Sequence, residues 1–387
     1  MTMNFVSLPS EIVCYVFQFL RLQDALSISE VCKYFRELIA GVRLLDTSAE
    51  FIITSQTRFF LNCQKYCINS DISNTIPRPY LVNLFRNKTI YCNKKVTDVG
   101  AFKKAKEVSI EGCKKIKNVQ LLENVEILNL SYSRNSEDFK PLKVKELHMI
   151  STDISNFEGF GKLKVFEGCD NSIEDLSGLE NVETLILSDN AITDVSNLKK
   201  VKILNLKNNP IEDLRGLDSV EELNISGTNV SHLRDLNHKN IKYLDISSTS
   251  IVELDILLLM TNLKYLVIDN YFHFGGVIGS LTWLEKLSIH NYLGGEQINL
   301  SGLVNLKKLN LGNTYHNVRG YEKLPKLEKL IVYDDILLYV GFLVRLKQMT
   351  QLKEVIFIER NIIPYTRKYN IAELLPEGCK WNIRPLY

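Results

Sequence analysis

Hydrophobic residues recur along most of this chain with a regular spacing. Successive segments, of which one begins at Val182, follow the pattern apolar-x-x-Leu-x-Leu/Ile-x-x-Asn/Thr-x-apolar. The step between units is 19 residues from Leu128 to Leu223 and 21 or 22 residues from Leu223 to Leu330. The central position falls at Ile90, Val108, Leu128, Leu147, Phe166, Leu185, Leu204, Leu223, Leu244, Leu266, Leu287, Leu309, Leu330 and Val355. Repetition at this period predicts an array of stacked units.

Each unit is expected to supply one short strand, because two apolar residues that alternate with period two bury one face of a strand. A small polar residue follows, where the chain turns inward, and its side chain can bond backbone groups. A ladder of such residues is predicted at Cys113, Asn171, Asn190, Asn209, Thr228, Thr249 and Thr314. Asn208, one residue before the ladder, is expected to matter little. Asp175, Asp194 and Asp213 are expected to cap a short helical turn on the outer side.

This pattern resembles the leucine-rich repeat family over residues 88–360. The resemblance implies an α/β fold, a solenoid with a curved parallel sheet. Residues 46–87 are expected to form a linker and an N-terminal cap. Residues 361–387 are expected to form a C-terminal cap, with a short helix at 371–376 and a last edge strand at 379–383.

The first 45 residues do not repeat and predict three short helices. Pro9 suits a first helical turn, and the apolar residues after it share one helix face. The runs Leu8-Pro-x-Glu-Ile12 and Val31-Cys-Lys-x-Phe35 are similar to an F-box, the helical motif that docks on the Skp linker protein of SCF-type ubiquitin ligases. The likeness covers residues 5–42 and departs at Ala25, where family members often carry leucine. It implies an N-terminal three-helix F-box in residues 1–45.

An F-box followed by leucine-rich repeats implies a non-catalytic adaptor with two binding ends. The F-box would hold the Skp protein and, through it, a cullin complex, while the repeats would hold a protein target. The residues expected to contact Skp are Leu8, Pro9, Ile12, Val16, Phe17, Leu20, Val31, Cys32 and Phe35. A repeat scaffold that acts without ubiquitin ligation is the alternative interpretation.

The residues beside the buried leucines are expected to point out of the sheet. Immediately before the central leucine, two tyrosines and then three lysines occur in consecutive units: Tyr243, Tyr265, Lys286, Lys308 and Lys329. Like charges on neighbouring strands repel, and Glu285 and Glu328 are the predicted relief.

Aromatic residues of the loops after the longer strands add to this prediction, because aromatic side chains on exposed loops often anchor protein interfaces. They are Phe272, Tyr292 and Tyr315. Together with the tyrosines and lysines they form the predicted target site, which suits an acidic or phosphorylated protein segment. A solvated face with no partner is the competing interpretation.

The composition excludes several classes of protein. Apolar residues make up 45% and charged residues 24%, and 47 Lys and Arg stand against 45 Asp and Glu. This balance argues against a wholesale polyanion binder. Locally, residues 94–117 hold eight lysines, three carboxylates and one aromatic residue, Phe102. That segment leaves nucleic-acid binding as an alternative function, although a solvated flank is the favoured interpretation.

The chain shows no phosphate-binding glycine loop, His-Glu-x-x-His or Cys-x-x-Cys pair, and its histidines are scattered. We therefore expect no enzymatic activity, no cofactor and no metal. No apolar stretch is long enough to predict a membrane span. The eight cysteines form no compact framework, which indicates reduced thiols in the cytoplasm or nucleus, or in host cytoplasm if the source is viral.

Overall fold

The computed structural model divides into two compact units, Met1–Ile186 (unit 1) and Leu187–Tyr387 (unit 2). The residues that it describes are 44–47, 65–68, 81–83, 85–92, 94–113, 116–133, 143–152, 157, 160–269, 276–290, 297–312, 318–338, 340–359 and 370–385. The nine predicted Skp contacts, from Leu8 to Phe35, lie outside these ranges, as do Phe272, Tyr292, Thr314 and Tyr315.

Unit 1 contains a parallel sheet in which each strand pairs with the next along the chain. Its strands are β1 (Leu44–Thr47), β2 (Lys65–Ile68), β3 (Thr89–Cys92), β4 (Glu107–Ser109), β5 (Ile127–Asn129), β6 (Glu146–His148), β7 (Val165–Glu167) and β8 (Thr184–Ile186). Short 3₁₀ turns at Gly100–Phe102 and Val119–Leu122 connect some of them. The sheet begins before residue 88, where the leucine pattern begins, since β1 and β2 lie upstream of it. Tyr66 of β2 takes the central position opposite Ile90.

Unit 2 has the same arrangement, and most of its repeats are longer. Its strands are β9 (Ile203–Asn205), β10 (Glu222–Asn224), β11 (Tyr243–Asp245), β12 (Tyr265–Asp269), β13 (Lys286–His290), β14 (Ile298–Asn299), β15 (Lys308–Gly312), β16 (Val318–Arg319), β17 (Lys329–Tyr333), β18 (Glu354–Glu359) and β19 (Lys380–Pro385). Strands β14 and β16 form a separate parallel pair, and the others form one parallel sheet.

Helical segments join several strands of unit 2. They are the 3₁₀ turns Asp255–Leu259, Ile278–Ser280, Tyr321–Lys323 and Asp334–Leu338 and the helices α1 (Val340–Gln348) and α2 (Ile371–Leu374). Helix α2 and strand β19 confirm the short helix and last strand that the sequence predicts, whereas the pattern gave no signal for α1.

The core follows the predicted central positions. All fourteen of these side chains are at most 1% exposed. In unit 1 and in unit 2, they stand opposite one another on neighbouring strands, as Leu223 does with Leu244. Burying one such side chain contributes about 2 kcal/mol. A single unit cannot cover its own leucines, so stacking closes the core.

The predicted ladder of small polar side chains is present. Asn209 Nδ2 donates to the carbonyl oxygens of Leu187 at 2.8 Å and Leu206 at 3.0 Å, and Asn209 Oδ1 accepts from the Ile192 N–H at 3.1 Å. Later units place a hydroxyl there, and Thr228 Oγ1 donates to the Ile225 carbonyl at 2.7 Å. The amide of Asn209 therefore bridges two repeats, whereas the hydroxyl of Thr228 bonds within its own repeat.

In the described ranges, a left-handed backbone precedes each ladder position, including Ser133 and Thr152, which occupy that position in their own repeats. Its φ is between 51° and 69° at Gly112, Tyr132, Ser151, Asp170, Asp189, Asn208, Gly227 and Ser248. Asparagine, aspartate and glycine adopt this conformation at lower cost than other residues. The left-handed backbone gives Asn208 a conformational role that the sequence argument did not consider, although its side chain is exposed.

The predicted aspartates accept backbone N–H groups, but they close turns and do not cap the short helical turns that the sequence predicts. The N–H groups of Ser177, Ser196 and Arg215 donate to Asp175, Asp194 and Asp213 at 2.9, 2.9 and 2.8 Å. The Ser196 N–H is the main cause that holds the pKa of Asp194 below its usual value.

Among the described strands of unit 2, β19 pairs only with β18 and forms an edge of their sheet. Trp381 stands opposite the buried Val355 yet is 44% exposed. The Lys380 N–H donates to the carbonyl of Lys353 at 2.9 Å, so by parallel pairing the backbone groups of Trp381 and its alternate neighbours point away from β18. Among these, the Ile383 N–H donates to Asn382 Oδ1 at 2.8 Å, and proline at position 385 has no N–H.

Candidate protein-interaction surface

The tyrosine–lysine row lies on the outward face of the sheet of unit 2. We use this name for Tyr243, Tyr265, Lys286, Lys308 and Lys329, which stand opposite one another in that order on β11, β12, β13, β15 and β17. The leucine after each of them is buried, so alternation turns the row itself outward. The predicted placement is confirmed, and the binding role stays a prediction.

The two tyrosines form a fixed aromatic pair. Their ring centroids are 5.0 Å apart, with an interplanar angle of 77°, which is the favoured edge-to-face arrangement. Tyr265 Oη lies 3.3 Å from Ser288 Oγ. Burial, followed by the charge of Asp245, raises the pKa of the half-buried Tyr243 hydroxyl. The Tyr243 hydroxyl therefore stays neutral. Because the two rings already pack against each other, a partner would pay little entropy to use them.

The lysines continue directly from this pair. Lys286 Nζ lies 5.8 Å from the ring centroid of Tyr265, within cation–π distance. Burial lowers the pKa of Lys308, and the charges of Lys329 and Lys286 lower it further. Lys329 Nζ is 2.5 Å from Glu354 Oε2 on β18. Among the described residues, Lys286 and Lys308 have no carboxylate at ion-pair distance.

Glu285 and Glu328 do not relieve the lysines of the row, and that prediction is wrong. Glu285 pairs with Lys307 at 2.7 Å and Lys264 at 3.5 Å, and Glu328 pairs with Lys353 at 2.7 Å. Successive residues of an extended chain point in different directions. These glutamates therefore join a neighbouring row of exposed ion pairs, whose members individually stabilise the fold little.

Polar groups that the sequence argument missed border the row at the ends of β11, β12 and β13. Burial raises the pKa of Asp245 and lowers the pKa of His290, although Ser247 donates to Asp245. Asp269, 3% exposed, accepts from the N–H and hydroxyl of Ser248, each at 2.7 Å. Over the ranges that the structure covers, no three His, Cys, Asp or Glu side chains are arranged to hold a metal ion.

The lysine-rich segment 94–117 is divided by the fold. Lys94 and Lys95 follow β3, whereas Lys103, Lys104 and Lys106 precede β4, which runs parallel to β3. Parallel strands begin at one edge of a sheet and end at the other, so these two groups lie at opposite edges. Phe102, the aromatic residue of the segment, is buried. The described lysines do not form the continuous strip with stacking aromatics that nucleic-acid binding favours.

Within the described ranges, none of the helices has both the length and the apolar character needed to cross a membrane.

Comparison with known proteins gives a match to each of the two kinds of module that the sequence predicts. The family model described as F-box-like matches residues 5–45, and that described as leucine-rich repeats (2 copies) matches residues 180–219. No curated protein matches the chain significantly.

Among solved structures, the chain is similar to the functional domain of InlJ from Listeria monocytogenes, with 16% identity, a TM-score of 0.48 and coverage of 73% of this chain and 69% of that one. It is also similar to the internalin inlF from Listeria monocytogenes, at 18% identity, a TM-score of 0.41 and 86% and 93% coverage. A third is the APL1 leucine-rich repeat domain, at 14% identity, a TM-score of 0.46 and 84% and 88% coverage.

Proposed function

We propose that this chain, in which an F-box-like domain precedes leucine-rich repeats, is the substrate-recognition adaptor of an SCF-type E3 ubiquitin ligase. The combination of the two modules carries the proposal. An F-box-like segment of about 40 residues supplies one docking end and little further surface. The repeats supply a long sheet whose outward side chains are available to a second protein.

The F-box end would dock on the Skp linker protein and, through it, on a cullin complex. The F-box-like match includes all nine residues proposed as Skp contacts, from Leu8 to Phe35. Leu8 and Pro9 head the matched motif and are the residues we expect to contribute most. Ubiquitin transfer would belong to the cullin complex, so this chain needs no catalytic group, and it would act in the cytoplasm or nucleus.

The target end is proposed to be the tyrosine–lysine row of unit 2, with the loop residues Phe272, Tyr292 and Tyr315. The ordered pair of Tyr243 and Tyr265 offers an amphipathic anchor, and aromatic residues dominate interface hot spots. Lys286 and Lys308 lack carboxylate partners among the described residues and would gain one from an acidic or phosphorylated protein segment.

The experiment is affinity purification of the tagged full chain from host cells, compared with a chain lacking residues 1–45 and with a Tyr243→Ala/Tyr265→Ala variant. Ile203→Ala is the matched control, since Ile203 occupies the same row two strands before Tyr243. Skp and cullin should be lost only with residues 1–45, and one target protein should be lost only with the tyrosine pair.

Each module of the proposal can fail separately. If the chain lacking residues 1–45 recovers Skp as well as the full chain does, the F-box-like segment is not the docking end. If a target is recovered without any Skp or cullin, the chain is a repeat scaffold that acts without ubiquitin ligation. If the target survives the tyrosine change and is lost when residues 125–230 are altered, the target site lies in earlier repeats.

A further inference from the structure

A cationic pocket lies in unit 1, between the turns that precede β3 and β4. Its cavity has a volume of about 620 Å³. Four cations and two side-chain amides line it: Arg86, Lys103, Lys104, Lys106, Asn87 and Asn124. Glu126 is the carboxylate that also borders the cavity.

Backbone hydrogen bonds fix the two turns that carry the cations. The Asn87 N–H donates to the Lys104 carbonyl, and the Lys106 N–H donates to the Lys88 carbonyl, each at 2.9 Å. Phe102 and Ala105 beside them are 1% and 4% exposed. The fold therefore brings these charges together on a packed frame.

The charges of the pocket stay unpaired within the ranges that the structure covers. None of the described residues forms an ion pair with Arg86, Lys103, Lys104 or Lys106. The ion pair that Glu126 makes is with Lys145, at 3.4 Å between Oε1 and Nζ.

Lysines at the template position of Lys106 in other units do have partners. Lys164 pairs with Glu183 at 2.9 Å, and Lys307 pairs with Glu285 at 2.7 Å. The cations of the pocket therefore repel one another, whereas the equivalent lysines of other repeats are each paired with a carboxylate.

We propose that this pocket binds a small anion that carries several phosphate groups. Guanidinium and ammonium groups form their strongest hydrogen bonds with phosphate oxygens, and the amides of Asn87 and Asn124 add neutral donors. Several cations in one cavity match several charges on one compact ligand. Nucleic acid is disfavoured because the lysines of residues 94–117 are divided between two sheet edges and Phe102 is buried. This inference is independent of the proposed adaptor function.

The test is calorimetric titration of the full chain with sodium tripolyphosphate at low ionic strength. Lys103→Glu/Lys106→Glu should weaken binding by on the order of tenfold per residue or more. Lys103→Gln/Lys106→Gln, which matches the Glu side chains in size but removes the charges without reversing them, should weaken it less. Circular dichroism spectra that match the parent chain would show that both variants are folded.

The matched control is Lys199→Glu/Lys202→Glu in unit 2. Lys199 and Lys202 have the same spacing and template position as Lys103 and Lys106. Lys202 lies near Glu221 and contributes to lowering the pKa of that carboxyl. The control should bind tripolyphosphate as the parent chain does.

Two results would overturn the proposal. The first is no saturable binding of tripolyphosphate by the parent chain, or equal loss in the pocket and control variants. The second is tight binding of a single-stranded oligonucleotide that tripolyphosphate fails to displace, which would favour nucleic acid instead. Binding that only the pocket variants lose would support it.

Discussion

Replacement of Asn209 measures how much the ladder contributes to stability. This side chain is 2% exposed, and its Oδ1 is the acceptor for the buried Ile192 N–H. Alanine leaves that N–H without a partner and removes a donor from the Leu206 carbonyl. The Leu187 carbonyl is affected less, because Asn190 Nδ2 also donates to it at 3.0 Å. We expect Asn209→Ala to lower the free energy of unfolding by about 2–3 kcal/mol.

Three further variants separate the side chain from the backbone. Asn209→Thr should cost less, about 1–2 kcal/mol, because a hydroxyl there bonds its own unit, as Thr228 does, without reaching Ile192. Asn208→Ala should cost about 1 kcal/mol, because alanine disfavours the φ of 55°. Asn208→Gly should stay within about 0.5 kcal/mol of the parent chain.

The assay is urea unfolding followed by circular dichroism, with native-state hydrogen exchange at the Ile192 amide as a local measure. Repeat arrays can unfold in parts, so the local measure guards against a misleading global midpoint. Unchanged protection of the Ile192 amide in Asn209→Ala would refute the assigned hydrogen bond. A larger loss in Asn208→Gly than in Asn209→Ala would show that the ladder is assigned to the wrong residue.

Three predictions concern binding. Leu8→Ala/Pro9→Ala should abolish Skp capture with an unchanged melt, and capture at parental yield would refute the docking face. Tyr243→Ala/Tyr265→Ala should weaken target binding by about 2 kcal/mol in a titration, with Skp capture intact as the control. Lys308→Gln should raise thermal stability by a few tenths of a kcal/mol, because it removes a repelled, half-buried charge, while it weakens target binding. Because the pKa of Lys308 is lowered, this lysine loses its positive charge at a lower pH than an unshifted lysine does as the pH is raised. The affinity of the parent chain for an acidic target should therefore begin to fall at that lower pH, and Lys308→Gln should flatten the pH profile.

The repeat and its register could be predicted because the leucine period repeats the same physical requirement in every unit. Once the central leucines are placed, the residue immediately before each of them is predicted to point outward. Tyr243 and Tyr265 lie at these predicted positions of the tyrosine–lysine row. The partners of the lysines could not be found in this way. Glu285 is a sequence neighbour of Lys286 but belongs to a different row, and Glu354 on the next strand reaches Lys329.

Other features depended on backbone conformation or on distant segments. The left-handed backbone at Asn208 and at the equivalent residues of other repeats leaves only a weak trace in the sequence. Asp, Asn, Ser and Gly are common immediately before the ladder positions. Strand β2 was missed because Tyr66, with its polar hydroxyl, stands where every central position of the pattern has a purely apolar residue. The cationic pocket combines Lys103 and Lys106 with Arg86 from another unit, and proximity in sequence had instead grouped those lysines with Lys94, at the opposite edge.

The edge formed by β19 bears on how copies of this chain behave at high concentration. A parallel sheet is an open template, and a bare terminal strand invites a strand of another molecule to extend it. Here the Ile383 N–H is engaged by Asn382, and proline at position 385 cannot donate. Trp381 is left as the residue of the described edge whose backbone N–H points outward and can still donate. Lys380 and Arg384 would also repel an identical strand. Growth into fibrils is therefore discouraged at this end, while the exposed indole can still contact a different molecule.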